Sequence, residues 1–229
     1  MAGFVTEAFR AGADAHAIMR QTGHRGPGMA RTVGRLRGRP EQARITRMGA
    51  DYRFVTVWRV AGTVQEVTAV LGDADSLPRW WPSVYLGVVQ VADAGPDGTG
   101  AAVELHTKGW LPYTLRWTLT ITEPMTEKGF ALTAAGDLNG TGRWTFTTDG
   151  PEVVISYDWR VRATKPLLQR LSWLLKPVFS ANHRWAMARG EESLRLELRR
   201  KRALGSGRDA GSVPPPPAPT FRWLQRRHQ

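Results

Sequence analysis

Histidine and tyrosine are among the residue types in this chain that could transfer protons, and the sequence contains no cysteine. The five histidines are scattered, at His16, His24, His106, His183 and His228. None of them has the spacing of a metal-ligand pair, and the sequence has neither a phosphate-binding loop nor a dinucleotide fingerprint. Thiol chemistry is therefore excluded, and the sequence predicts no metal and no other cofactor.

Residues 52–162 alternate apolar and polar side chains with a period of two, which is typical of half-buried β-strands. The pattern is clearest over residues 113–122 and 153–162. Turn sequences rich in Gly, Asn and Asp lie at residues 97–100, 139–140 and 149–151. Strands joined by such short turns predict an antiparallel sheet.

Two helices are predicted to bracket the sheet. The first begins at Thr63, where Glu66 completes the spacing of a capping box, and ends at Gly72. The second begins near Pro166 and continues to about Arg202, with apolar residues at helical spacing. Pro177 is expected to kink or restart it.

The net charge of +12 is unevenly distributed. Residues 1–48 contain nine Lys and Arg against three acidic residues, and residues 163–229 contain fourteen against four. Residues 49–162 contain nine against thirteen, so the part that resembles a folded domain is mildly acidic. This distribution argues against a nucleic-acid-binding core and leaves only weak, salt-dependent binding through the basic termini.

The C-terminal residues 204–229 are predicted to form a disordered, proline-rich basic tail. Glycine and serine at 205–207 and the proline run at 213–219 cannot continue a helix or a sheet ladder. The sequence contains no apolar run of signal-peptide length and no run of 18 apolar residues. We therefore expect a cytoplasmic protein without a membrane span.

Three stretches of the chain resemble the START-like (SRPBCC) superfamily, the group of polyketide cyclase/dehydrase and lipid-transport proteins. They are residues 54–60 (FVTVWRV), 76–84 (SLPRWWPSV) and 182–194 (NHRWAMARGEESL). The resemblance covers roughly residues 50–202 and implies an α+β helix-grip fold. In this fold a curved antiparallel sheet of about seven strands wraps around a long C-terminal helix and encloses a ligand cavity.

Such a cavity would be lined by the inward face of the sheet. The strand alternation places six aromatic residues on that face, namely Trp58, Tyr113, Trp117, Trp144, Tyr157 and Trp159. Trp80 and Trp81 are expected near its mouth, and Trp185 on the long helix completes the predicted ligand-binding set. These residues predict a small hydrophobic or aromatic ligand, although aromatic side chains also fill ordinary cores.

Catalysis would need titratable groups that face the cavity. The alternation places charged and imidazole groups on the opposite face of the sheet, at Glu104, His106, Arg116, Arg143, Asp158 and Arg160. His106 is therefore predicted to be a surface histidine. The remaining catalytic candidates are His183 on the long helix, together with Tyr113 or Tyr157.

Residues 1–47 do not belong to this fold, and residues 1–40 resemble the C-terminal part of a tyrosine recombinase (phage integrase). The resemblance rests on Thr22-Gly23-His24-Arg25, in which His24 matches the late active-site histidine. Val33 occupies the position of the nucleophilic tyrosine, so the resemblance implies a remnant without recombinase activity. Translation from Met48 is an economical alternative.

The sequence thus predicts three regions: an extension at 1–47, a ligand-binding domain at 48–203 and a tail at 204–229. Binding of a small hydrophobic or aromatic ligand is the first functional prediction. A cyclase or dehydratase acting on a polyketide-like substrate is the second. A protein that associates with nucleic acid through its basic termini is the third, and the oligomeric state is left open.

Overall fold

The structure is a computed structural model that describes residues 51–164 and 172–220. The predicted extension at 1–47, with His16, His24 and the alternative start at Met48, lies outside the described residues. The helices and strands, in chain order, are β1 (Asp51–Ala61), α1 (Val64–Leu71), α2 (Leu77–Trp80), β2 (Tyr85–Ala92), β3 (Ala102–Lys108), β4 (Thr114–Thr126), β5 (Gly129–Gly136), β6 (Leu138–Asp149), β7 (Glu152–Ala163) and α3 (Ser172–Gly205).

The strands form one sheet in the order β1-β7-β6-β5-β4-β3-β2, and each neighbouring pair is antiparallel. Strands β1 and β2 therefore lie at its two edges. Register shifts interrupt the pairing of β2 with β3 and of β4 with β5, and such bulges bend a sheet. Helix α3 packs against β1 and α1. The predicted α+β architecture, a curved seven-stranded sheet around a long C-terminal helix, is confirmed.

The burial of β7 follows the alternation seen in the sequence. Its odd-numbered residues from 153 to 161 are buried, whereas Asp158 is half-buried and Arg160 is exposed. Strand β6 alternates in the same way, with Trp144 and Phe146 buried between exposed neighbours. The two strands thus present one continuous apolar face to the interior.

One predicted turn is wrong. Asn139 and Gly140 lie inside β6 rather than in a hairpin loop, and β5 and β6 are joined through Asp137. Gly136 adopts a positive φ of 125° at this junction, and its N–H donates to Asn139 Oδ1 over 2.9 Å. The prediction placed the turn a few residues too late. Asn139 accepts a hydrogen bond from the turn residue Gly136 but does not itself form the turn.

The predicted capping box of α1 is confirmed. Thr63 Oγ1 accepts from the Glu66 N–H over 3.2 Å, and Glu66 Oε2 accepts from the Thr63 N–H over 2.8 Å. The Glu66 carboxylate also accepts from Arg202 near the end of α3, over 2.6 Å. Hydrogen bonding from Arg202 is the main reason that the pKa of Glu66 falls to about 2. The cap therefore also ties α1 to α3.

Of the kink or restart expected at Pro177, the restart is wrong, because helix α3 continues through this proline. Its predicted start near Pro166 lies outside the described residues. On its inner side Leu194 and Leu198 are buried in the core, together with the carboxylate of Glu197. Both terminal nitrogens of Arg79 in α2 donate to the buried Glu197 carboxylate, each over 2.9 Å, so an ion pair with a half-exposed arginine holds α2 against α3.

Residues 206–220 differ from the disordered tail that the sequence predicts. The chain turns back after α3 and forms a short 3₁₀ turn at Ala210–Ser212. Arg200 donates to the carbonyl of Pro214 over 3.0 Å, and Thr220 Oγ1 donates to the carbonyl of Gly109 over 3.3 Å. Proline excludes helices and sheet ladders but not an extended segment that packs on a surface. Residues 221–229 lie outside the described part.

Candidate functional site

A cavity of about 170 Å³, here called cavity A, lies between the sheet and helix α3. Its lining consists of Tyr52, Phe54, Trp81, Val84, Tyr85, Thr107, Lys108, Gly109, Tyr113, Leu115, Trp117, Leu138, Tyr157, Trp159, Val161, Phe179, Asn182, His183, Ala186 and Met187. Apolar cavities of about 150 Å³ bind a single benzene ring in another protein. Cavity A is slightly larger than that and therefore has room for a small aromatic ring system.

A second and smaller cavity of about 80 Å³, here called cavity B, adjoins the first. Its lining side chains are aliphatic or aromatic, and besides Trp81 and Tyr85 they include Leu77, Val103, Leu119, Met125, Phe130 and Trp144. Trp81 and Tyr85 line both cavities, and their ring centroids lie 5.1 Å apart in an edge-to-face contact. These two rings therefore form the partition between the cavities.

A wall of stacked rings crosses β6 and β7. Trp144 stacks on Tyr157 with ring centroids 4.1 Å apart, and Tyr157 stacks on Trp159 at 5.6 Å. Gly142 makes this arrangement possible, since an added Cβ would lie only 2.8 Å from Tyr157 Oη. The sheet thus offers a flat aromatic surface to whatever occupies the cavities.

The structure brings most of the predicted ligand-binding residues together. Trp81, Tyr113, Trp117, Tyr157 and Trp159 line cavity A, and Trp81 and Trp144 line cavity B. The three catalytic candidates also meet, because His183 lines cavity A together with Tyr113 and Tyr157. Contact with a ligand or substrate remains a prediction for each of them.

Three of the residues predicted to bind the ligand line neither cavity. Trp58 and Trp80 are 2% and 0% exposed and pack in the core without lining either cavity. Trp185 is half-buried against the core and also lies outside both linings. Trp81 is itself only 3% exposed, so the expected mouth at Trp80 and Trp81 is an interior position instead. The alternation along a strand predicts which side chains face the interior, but it does not predict which of them border a cavity.

His183 lines cavity A and is half-buried. Its ring stacks on Phe54 with centroids 4.1 Å apart, and its Nε2 lies 3.5 Å from Thr56 Oγ1. Burial, with a smaller contribution from Arg184, lowers the pKa of His183 to about 4. The imidazole is therefore neutral near pH 7, and it can donate or accept a hydrogen bond there.

The chain has four tyrosines, and every one of them lines cavity A. Burial raises the pKa of Tyr113 to about 12 and also raises the pKa of Tyr52, Tyr85 and Tyr157. Their phenols are therefore protonated at neutral pH. They supply hydroxyl donors to an otherwise apolar interior.

Two hydrogen-bond donors of the lining have no partner within the described structure. The Tyr52 hydroxyl and the Trp81 indole N–H are both buried and unsatisfied. A buried donor without an acceptor costs about 1–3 kcal/mol, so such groups usually meet a bound molecule or water. A ligand that offers acceptor oxygens would satisfy them.

The loop between β3 and β4 closes cavity A on the side of α3. Asn182 Oδ1 accepts from the Trp110 and Leu111 N–H groups, over 2.9 and 3.3 Å. Lys108, at the end of β3, is only 5% exposed, and burial lowers its pKa. Its ammonium donates to the carbonyl of Thr220. Lys108 is the one lysine or arginine side chain in the lining of cavity A.

Sequence reasoning missed several lining residues. Tyr52 and Phe54 share the parity of Trp58 in β1, so the alternation could have identified them. Tyr85 begins an edge strand whose burial does not alternate. Lys108 follows the inward-facing Thr107 and breaks the alternation at the strand end. No sequence signal marks a buried lysine, because lysine is ordinarily exposed.

The charged groups assigned to the opposite face lie away from both cavities. Arg116, Arg143, Arg160 and Glu104 are exposed, and Asp158 is half-buried beside Arg53 and Arg160. His106 is half-buried and also lies outside the two linings. Among residues 51–164 and 172–220, no group of three or more His, Asp and Glu could hold a metal ion. No helix in that part of the chain is long and apolar enough to span a membrane.

Solved structures with the same fold include bacterial proteins of low sequence identity. The Zhui aromatase/cyclase from Streptomyces sp. R1128 has a TM-score of 0.52 at 14% identity, covering 70% of this chain and 100% of that one. TTHA0849 from Thermus thermophilus has a TM-score of 0.51 at 15% identity, covering 62% and 97%. The di-domain ARO/CYC StfQ from the steffimycin biosynthetic pathway has a TM-score of 0.50 at 18% identity, covering 67% and 52%. These likenesses show the fold.

No curated protein matches the sequence. The profile of the family described as polyketide cyclase / dehydrase and lipid transport matches residues 52–198, which span β1 to the last turns of α3. The match covers more than half of the chain, and it includes both the sheet and the helix that enclose cavity A. On this match, the chain belongs to the polyketide cyclase / dehydrase and lipid transport family.

Proposed function

We propose that the chain binds a flat, oxygen-bearing aromatic molecule in cavity A. The observation that carries this proposal is the concentration of all four tyrosines in one lining, beside Trp117 and Trp159. Stacked rings favour a planar ligand, and the phenols favour carbonyl or hydroxyl oxygens on its edge. Family membership supports ligand binding without specifying the molecule.

The unsatisfied hydroxyl of Tyr52 makes the proposal testable. The probes are 2-methylchromone, a bicyclic ring system with a carbonyl oxygen, and 2-methylnaphthalene, which matches it in size but lacks the acceptor. Quenching of tryptophan fluorescence measures binding of each. Tyr52→Phe is expected to weaken 2-methylchromone binding about 3- to 10-fold and to leave 2-methylnaphthalene binding unchanged.

Trp110→Phe is the control variant, because Trp110 is exposed and lies outside the lining of cavity A. It is expected to bind both probes as the unaltered protein does. Binding of neither probe by the unaltered protein would overturn the proposal. Equal binding of both probes, unaffected by Tyr52→Phe, would show that acceptor oxygens play no part.

A cyclase or dehydratase reaction in the same cavity is the second candidate. The specific observation in its favour is the neutral His183 imidazole, which lies in one lining with four protonated phenols. Phenols that polarise a carbonyl oxygen would acidify the adjacent carbon, and the imidazole would accept a proton from it. A pKa near 4 makes His183 a weak base, so the expected rates are low.

Dehydration of a bicyclic β-hydroxy ketone to its aromatic product tests this second candidate. The reaction expels one molecule of water and is followed by ultraviolet absorbance. His183→Asn is expected to abolish any turnover while the ketone still binds, because the amide cannot take up the proton. Turnover that survives His183→Asn would remove the histidine from the mechanism, and absence of turnover in the unaltered protein would favour a binding function alone.

A further inference from the structure

The proline-rich segment after α3, residues 213–220, is here called the strap. At its start Arg200, in the last turns of α3, donates to the carbonyl of Pro214 over 3.0 Å. At its end Thr220 Oγ1 donates to the carbonyl of Gly109 over 3.3 Å. An extended proline-rich segment advances about 3 Å per residue, so a strap of this length can bridge separate elements. The strap thus connects the end of α3 to the loop between β3 and β4.

This loop, residues 109–112, is also held by helix α3. Asn182 Oδ1 accepts from the Trp110 and Leu111 N–H groups, over 2.9 and 3.3 Å. The approach is close, since the Asn182 amide occupies the space in which a Cβ at Gly109 would lie. Gly109 and Asn182 both line cavity A, so the loop is part of the cavity wall. The wall is therefore tied to α3 on one hand and to the strap on the other.

The loop is the part of this wall that is easiest to open. Its movement away from α3 breaks the two hydrogen bonds to Asn182 and the bond to the strap. Separation of β1 from β7, by contrast, would break a ladder that runs along the whole of β1. Local opening has a low free energy where few main-chain hydrogen bonds are lost. A molecule therefore reaches cavity A most easily through the loop at 109–112.

From this arrangement we infer that the strap is a closure device for cavity A. It holds the loop at 109–112 against α3, and a ligand enters or leaves when Thr220 releases Gly109 and the loop moves. The inference rests on the proposed function and adds the regulation of its site. Proline suits this role, because its fixed φ reduces the conformational entropy that is lost when the segment is held extended.

The closure device controls rates rather than affinity. No residue of the strap is in the lining of cavity A. Its hydrogen bonds therefore stabilise the closed loop to the same extent with and without a ligand. A contact that does not differ between the free and the bound protein leaves the binding equilibrium unchanged. Weakening of the strap should accordingly speed entry and exit by the same factor.

Thr220→Val is the variant that tests this inference. It removes the hydroxyl and keeps the main-chain carbonyl of residue 220, which accepts from Lys108 Nζ. Stopped-flow quenching of tryptophan fluorescence by 2-methylchromone measures the association and dissociation rate constants of the full chain. Both are expected to rise about 2- to 10-fold, the factor that one net hydrogen bond supplies, while Kd stays within about twofold.

Thr126→Val is the matched control. Thr126 Oγ1 also donates to a glycine carbonyl, that of Gly129 over 3.0 Å, in a turn outside the lining of cavity A. This variant is expected to leave both rate constants unchanged. An equal rise in Thr126→Val and Thr220→Val would show a general loosening of the protein and would overturn the inference.

Asn182→Ala separates the roles of the loop and the strap, because it releases the loop from α3 directly. It is expected to raise both rate constants, as Thr220→Val does. Faster rates in Asn182→Ala with no change in Thr220→Val would show that the strap does not hold the loop, and the inference would be wrong. Unchanged rates in both variants would place the entrance elsewhere and would contradict it as well.

Hydrogen exchange measured by NMR provides a readout that needs no ligand. The Trp110 and Leu111 amides are expected to exchange faster in Thr220→Val, because the strap restrains the loop that carries them. Exchange unchanged by Thr220→Val would overturn the inference while leaving binding in cavity A intact. Failure of the unaltered protein to bind 2-methylchromone would instead overturn the proposed function, and faster exchange in Thr220→Val would still support the strap as the restraint on the loop.

Discussion

Single side chains set the ionisation state of cavity A. His183 has its pKa lowered to about 4 by burial, whereas an unfolded histidine titrates near 6.5. The folded chain therefore binds fewer protons than the unfolded chain between these two values. The stability contributed by the neutral ring is fully present above about pH 6.5, and it is lost as the pH falls towards 4.

Replacement of this ring by an aromatic group that does not titrate isolates the effect. His183→Phe keeps a ring against Phe54, and its free energy of unfolding is expected to depend less on pH. Between pH 7 and pH 4 the unaltered protein should lose roughly 2–3 kcal/mol relative to the variant. Urea unfolding at several pH values measures this difference. Parallel pH profiles would show that His183 titrates normally.

Gly142 is the residue on which the aromatic wall depends. An alanine Cβ would lie 2.8 Å from Tyr157 Oη and 3.0 Å from Trp159 Cε3, and both rings are buried. Gly142→Ala is expected to destabilise the protein by about 1–3 kcal/mol through overpacking, and to weaken 2-methylchromone binding. Gly205→Ala is the matched control, since an added Cβ there meets no atom within 4 Å. Urea unfolding of both variants checks the prediction, and equal stabilities would refute it.

At the scale of elements, α2 and α3 are joined by an ion pair between the half-exposed Arg79 and the buried Glu197. Glu197 is 1% exposed and accepts from Arg79 of α2 and from Arg200 on its own helix. Arg79→Ala would leave the buried carboxylate with one cationic partner. The expected cost is about 1–3 kcal/mol, less than the loss of a fully buried pair, because the Arg79 side chain is half-exposed and Arg200 remains.

An exposed pair on the same helix is the control for this prediction. Arg189 and Glu192 interact over 2.8 Å at the surface, with side chains 42% and 50% exposed. Arg189→Ala is expected to cost no more than about 0.5 kcal/mol. Thermal unfolding compares the two variants, and similar costs would mean that the Arg79 interaction is no stronger than a surface ion pair.

The strands and helices differ in how far the sequence alone predicted them. The alternation of β4, β6 and β7 and the capping box at Thr63 are local patterns, so the sequence predicted the sheet, α1 and the aromatic face. Trp58 was assigned to the cavity wrongly, because its inward position is filled by Trp81 and Trp144, with ring centroids 5.5 and 5.4 Å away. Which part of a face remains open depends on contacts between elements distant in the chain, and alternation carries no such information.

Over the whole molecule, composition was a poorer guide than local pattern. The segment 213–219 is nearly all proline, and this composition predicted disorder. In the structure Arg200 donates to the carbonyl of Pro214, and Lys108 donates to the carbonyl of Thr220 directly after the segment. Main-chain carbonyls of an extended segment can accept such hydrogen bonds from long basic side chains. The prediction of nucleic-acid binding through the basic termini remains untested, since residues 1–50 and 221–229 lie outside the described structure.

The partition formed by Trp81 and Tyr85 limits how a ligand too long for cavity A could bind. A Cβ at Gly190 would lie 2.3 Å from Trp81 Cζ2, so the indole rests directly on the backbone of α3 and cannot retreat that way. Tyr85, its neighbour in the partition, lies on an edge strand that has a register shift next to it. A molecule that spans cavities A and B is therefore expected to displace the Tyr85 ring rather than the Trp81 indole.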